Sequence, residues 1–286
     1  MRSSNPVFSR RGFSRDNGYA GFNAQQQPPQ AGNPYATNPY AQQPNPYAQQ
    51  PQAAGHPYAA PPAAPPQAGR MTMDDVVART GMTLGLVVVT AAVAWITDMS
   101  LGLAIGAALV AMVLSLVQAF KRKASPALIL AYAAFEGLFL GALSNYVNGY
   151  VNGAAMQAVL GTMAVFTAVL VLYKTRIIRV TQRFYRFVMA AAIGFVLLMA
   201  VNLLFAAFGG GDGLGFRSGG LGILFGVIGV VLGALFLALD FKQVEDGIAY
   251  GAPKEESWLA AFGLTLTLVW IYLEFLRLIA ILQGDN

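Results

Sequence analysis

The chain has 286 residues, 56% of them hydrophobic and only 11% charged, with a formal net charge of +5. Soluble domains carry about 25% charged residues, so this composition excludes an ordinary water-soluble fold and points to a body embedded in a bilayer. There is no cysteine, which excludes disulfides and thiolate chemistry, and the one histidine, His56, lies in a polar tail, which argues against a His-based catalytic or zinc centre.

Residues 1–70 are rich in Pro, Gln, Ala, Asn and Gly. A short element recurs at Asn33-Pro34-Tyr35-Ala36, Asn38-Pro39-Tyr40-Ala41 and Asn45-Pro46-Tyr47-Ala48, with a weaker copy at His56-Pro57-Tyr58-Ala59. Each copy is too short and too polar to bury a face, so it cannot offset the entropy of ordering. The expectation is a disordered cytoplasmic tail, acting as a solvated tether or as a multivalent docking arm for a membrane-protein partner. Arg10, Arg11 and Arg15 are positioned to touch anionic lipid. No apolar stretch follows them early enough for a secretory signal.

Residues 71–286 are expected to form a seven-helix transmembrane domain. A bilayer core of ~30 Å needs about 20 apolar helical residues. Runs of that kind lie near 80–97, 101–120, 126–147, 154–173, 185–208, 220–241 and 258–282. The third opens on Pro126, which suits a first helical turn. None alternates like a barrel strand. Gly137 and Gly141 form a G-x-x-x-G pair, as do Gly229 and Gly233; close internal packing is the reading preferred over dimerisation, and a monomer is favoured.

The positive charges choose one orientation. Arg2, Arg10, Arg11, Arg15, Arg70 and Arg79 precede the first span. Lys121, Arg122 and Lys123 lie between the second and third. Lys174, Arg176, Arg179, Arg183 and Arg186 lie between the fourth and fifth, and Lys242 and Lys254 between the sixth and seventh. Arg217 lies on the opposite side and Arg277 within the last span. This pattern predicts a multi-pass protein with a cytoplasmic N-terminus and an external C-terminus, and it leaves no reason to expect nucleic acid as a partner. The mixed segment 174–187 reads equally as a short interfacial helix or as a basic loop.

Ionisable residues within a bilayer cost ~3 kcal/mol on insertion scales, so they are functional candidates. Three carboxylates qualify. Glu136 lies ~15 Å along its helix from Pro126, near the midplane. It is protonated, paired with a basic residue of another helix, or facing a wet cavity. Asp240 closes the sixth span ahead of the polar run FKQVEDG, read as a loop, and is either a functional acid or an interfacial anchor. Glu274 lies within the seventh, with Arg277 three residues on, so the two can form a charge pair. If these carboxylates converged, they would titrate together and attract a calcium ion through oxygen ligands while ionised. No HExxH, no GxSxG and no pair of intramembrane aspartates is present, so no enzymatic activity is expected.

The body resembles the transmembrane Bax-inhibitor-motif family, in particular a divergent bacterial branch. The likeness is carried by Ser125-Pro126-Ala127-Leu128 leading to Tyr132 and the run Phe135-Glu136-Gly137-Leu138-Phe139-Leu140-Gly141. It continues with Leu239-Asp240-Phe241-Lys242-Gln243 and the stretch from Leu264 to Ile279, and it covers about 75–282. The resemblance implies an all-α polytopic bundle in which six helices surround a central seventh. It implies a pH-sensitive calcium leak in a bacterial cytoplasmic membrane, with calcium as permeant or bound ion and no other cofactor. Asp240 matches the family's helix-six acid. Lys121 or Arg122 falls at the basic latch that pairs with that acid. The family's helix-seven acid aligns with Val269, leaving Glu274, five residues later, or Glu136 to stand in for it. The alternative is a membrane scaffold or regulator that binds other membrane proteins, such as a protease.

Overall fold

The structure, a computed structural model, describes residues 69–121, 123–209, 214–216 and 218–284. These belong to the second of the chain's two compact units, residues 64–286. The expected disordered tail lies outside the described residues, apart from Gly69 and Arg70.

Among the described residues, seven helices are long and apolar enough to cross a membrane. They are α1 (Met73–Ile96), α2 (Leu101–Phe120), α3 (Pro126–Asn148), α4 (Ala154–Lys174), α5 (Gln182–Gly209), α6 (Gly219–Ala249) and α7 (Ser257–Gly284). The chain is thus an all-α, multi-pass membrane protein. Large outward-facing side chains such as Leu103, 67% exposed in the isolated chain, form the surface that lipid covers.

Local chemistry explains the ends. α1 begins at Met73 rather than near Thr80. Thr72 accepts from the Asp75 N–H at 3.2 Å while the Asp75 carboxylate accepts from the Thr72 N–H at 3.3 Å, a reciprocal capping box. Pro126 occupies the first turn of α3. The loop before it is pinned by buried Gln118, whose Oε1 accepts from the Ser125 N–H at 3.1 Å.

One expectation is corrected and one open alternative is resolved. The run FKQVEDG is helix, not loop, because α6 continues to Ala249. Lys242 and Asp246 form an i,i+4 ion pair along that extension, which suits a helix. Asp240 therefore lies inside a helix rather than at its end. The segment 174–187 holds no separate interfacial helix: α4 ends at Lys174, a loop follows, and α5 starts at Gln182. Ile178 and Val180 of that loop pack onto the main apolar cluster, which anchors it.

α7 occupies the centre. It packs on α1, α3, α4 and α6. Its Phe262 joins a cluster with Ala111 of α2 and Tyr132 of α3. Its Trp270 ring lies 5.7 Å from that of Phe195 in α5. Two glycine seams bring the helices close. A Cβ at Gly137 or Gly141 would strike α1 at Val87 or Ala91, and one at Gly233 would lie 2.5 Å from Ile271 of α7. Both G-x-x-x-G pairs are therefore spent on contacts within the chain.

Candidate functional site: polar groups along the central helix

Polar groups on α7 are satisfied by neighbouring helices, as a water-free surrounding requires. Near its start, buried Ser257 accepts from Arg79 of α1, which also donates to the Lys254 carbonyl. Further along, Thr265 shares a buried 2.8 Å hydrogen bond with Thr83. Thr267 donates to Asp240 Oδ2 at 2.6 Å. Beyond it, Trp270 donates to the Gly229 carbonyl at 3.1 Å and Tyr272 shares a 2.6 Å bond with Ser144.

Asp240 is half-buried on the α6–α7 seam. Its Oδ1 would lie 3.6 Å from a Cβ built on Gly263, so the small residue there gives the carboxylate room against α7. Among the described residues no cation pairs with it. Lys121 is the exposed C-cap residue of α2, and α2 packs chiefly on α3. A Lys121–Asp240 latch is therefore not formed in this structure. Arg122 lies outside the described residues.

Glu274 and Arg277 form a buried ion pair, with Oε2 and Nη2 2.5 Å apart and Glu274 only 8% exposed. The pair lies in a groove that α6 opens by lacking side chains. A Cβ at Gly229 would come within 2.7 Å of the Glu274 carboxyl carbon, and one at Gly226 within 3.4 Å of the Arg277 guanidinium. Val269, where the resemblance led to the expectation of an acid, is apolar core and clusters with Val87, Ala133 and Leu140.

Glu136 is half-buried on α3, one turn from both Ala133 and Leu140, on the face that meets Val269. Val269 and Thr267 are two residues apart, about 200° around α7. Glu136 and Asp240 thus flank the central helix from different sides. Glu274 packs at Gly229, ~16 Å along α6 from Asp240 at 1.5 Å per residue. The three-carboxylate calcium site considered from the sequence is not assembled. Among the described residues no group of three or more His, Asp and Glu is placed to hold a metal ion.

Sequence reasoning missed Thr267, Thr83 and Arg79. The alternating threonines in Leu264-Thr265-Leu266-Thr267 were the available signal, since each hydroxyl in an apolar span must find a partner.

No curated protein matches the chain. The family model described as Bax inhibitor 1 like matches residues 5–284. Taken with the seven spanning helices and the central seventh, that match makes the chain a member of the Bax inhibitor 1 like family.

Proposed function

We propose that the protein is a pH-sensitive leak for a hard cation, calcium in particular, along the α6–α7 seam, with Asp240 as the residue that admits the ion. The observation carrying this reading is the half-buried Asp240 carboxylate, held against the central helix by the Thr267 hydroxyl and matched by no cation among the described residues. A carboxylate so placed attracts a calcium ion through oxygen ligation when ionised and loses that attraction when protonated. The Thr267 hydroxyl supplies a further oxygen beside the carboxylate.

The basic loops support an N-terminus in the cytoplasm and a C-terminus outside, and the resemblance to a bacterial branch is what points to a bacterial cytoplasmic membrane. The reading requires no catalytic group and no resident cofactor. The test is flux: purified protein in liposomes loaded with a calcium dye leaks at a rate that depends on pH, and Asp240→Asn removes the dependence. Equal silence of wild type and variant between about pH 5 and 8 ends the leak reading.

A second reading, a scaffold for another membrane protein, is favoured by the repeated Asn-Pro-Tyr-Ala elements of the tail. Under that reading, deleting the tail abolishes capture of the partner and leaves the membrane domain intact.

A further inference from the structure

The residues leading into α1 are fastened to the linker between α6 and α7. Arg70 and Pro253 form an antiparallel bridge. The Met71 N–H donates to the Ala252 carbonyl at 2.8 Å, and the Lys254 N–H donates to the Gly69 carbonyl at 2.8 Å. Lys254 also reaches Asp75 across 3.0 Å. Arg79 adds its bonds to Lys254 and Ser257, with its guanidinium 5.1 Å from the centre of the Trp258 ring.

Inside this clasp sits an apolar plug. Met71 is 4% exposed, and its methyl would lie 2.9 Å from a Cβ on Gly247. It shares one cluster with Leu237, Ala238 and Val244 of α6 and with Leu264 and Leu268 of α7. Those residues bracket Asp240 and Thr267 in sequence. Gly247 is seven residues past Asp240, so the plug sits ~10 Å further along the seam, toward the α6–α7 linker. A hydrated ion entering from that end meets a thioether and aliphatic side chains, which offer no ligands to replace its water.

We propose that residues 69–75 are a strap that closes the linker end of the α6–α7 seam, and that its release opens the way to Asp240. The strap is the root of the repeat-bearing tail, so a load on the tail reaches the seam through it. As a gate on a leak, this inference rests on the function proposed above. As a cover over the seam, it is tested separately.

The chain contains no cysteine, so a single introduced thiol reports its own surroundings. The full-length protein carrying Val244→Cys is placed in lipid nanodiscs and treated with a trimethylammonium methanethiosulfonate. Val244 is 4% exposed beneath Met71, and labelling is expected to be slow. Adding Met71→Gly, or separately Asp75→Asn, is expected to speed it at least about tenfold. A reporter at Ser144→Cys, on α3 against Tyr272, is expected to stay slow in both backgrounds.

Unchanged labelling at Val244→Cys in both strap variants overturns the proposal. Equal acceleration at both reporters also overturns it, because the strap would then be a staple of the whole bundle. Selective acceleration with raised calcium-dye flux upholds strap and leak together. Selective acceleration without flux upholds the strap as a cover and sinks the leak.

Discussion

Thr267 donates its hydroxyl to the Asp240 carboxylate across 2.6 Å, from the central helix to the helix beside it. A neutral donor leaves the carboxylate's charge available to a passing ion, whereas an ion pair would spend it. Glu274 shows the contrast: its charge is taken up by Arg277 in a groove floored by Gly229. On the proposed function, one acid is poised for an ion and the other is used, so that reading needs one carboxylate rather than a coupled pair.

A lone carboxylate titrates in a single step. Calcium flux in dye-loaded liposomes is therefore expected to fall with decreasing pH along a one-proton curve, as Asp240 is neutralised. Asp240→Asn should give a flat profile. Two separated inflections, or a slope well above one proton, would contradict the single-acid site.

Glu274 and Arg277 are expected to matter for stability rather than for the pH response. Removing one member of a buried pair leaves the other charge uncompensated, at a cost of about 3–5 kcal/mol. Arg277→Met alone should lower the unfolding midpoint in detergent sharply. Glu274→Gln combined with Arg277→Met should recover most of the loss. The double variant should also keep the wild-type pH profile of flux; loss of that profile would move the sensing role to Glu274.

The fold was largely legible because bilayer thickness dictates span length. The limits of α2 and the start of α3 at Pro126 follow from apolar runs and one proline. The start of α1 was misplaced because Asp74, Asp75 and Arg79 look like a polar flank. The Thr72–Asp75 spacing, a capping signature, was the better guide. The end of α6 was misplaced for the same reason, since Lys242, Glu245 and Asp246 continue the helix beyond its apolar run. The site was less legible. A sequence gives depth along each helix but not rotation between helices, so Glu136, Asp240 and Glu274 could be ranked by depth without knowing that they face apart. The bond from Thr267 to Asp240 joins residues 27 apart in sequence, and only the antiparallel packing of α6 on α7 selects it.

The α1–α3 seam gives a sharper mutational contrast than any polar contact. At Gly141 a Cβ would overlap the Ala91 backbone, which cannot rotate away as a side chain can. Gly141→Leu is expected to cost more than the about 1–3 kcal/mol of ordinary overpacking and to abolish the folded, monodisperse fraction on size exclusion. Gly106, in α2, has no atom within 4 Å of its Cβ position, so Gly106→Leu should leave both yield and melting unchanged.

Truncation separates the tail from the strap. Cutting after residue 68 keeps every contact described for Met71, and thermal stability in detergent should match the full chain. Cutting after Thr72 removes the burial of Met71, worth about 1.5–3 kcal/mol, and two backbone hydrogen bonds to the 252–254 linker, worth about 1 kcal/mol each. It also removes the cap of α1, worth about 1 kcal/mol. The longer deletion should therefore lower stability by about 5 kcal/mol, read as a fall in the unfolding midpoint, while the shorter one leaves it in place. If the tail docks a membrane-protein partner, both deletions abolish its capture. Equal melting of the two truncated proteins would mean that the clasp contributes no stability.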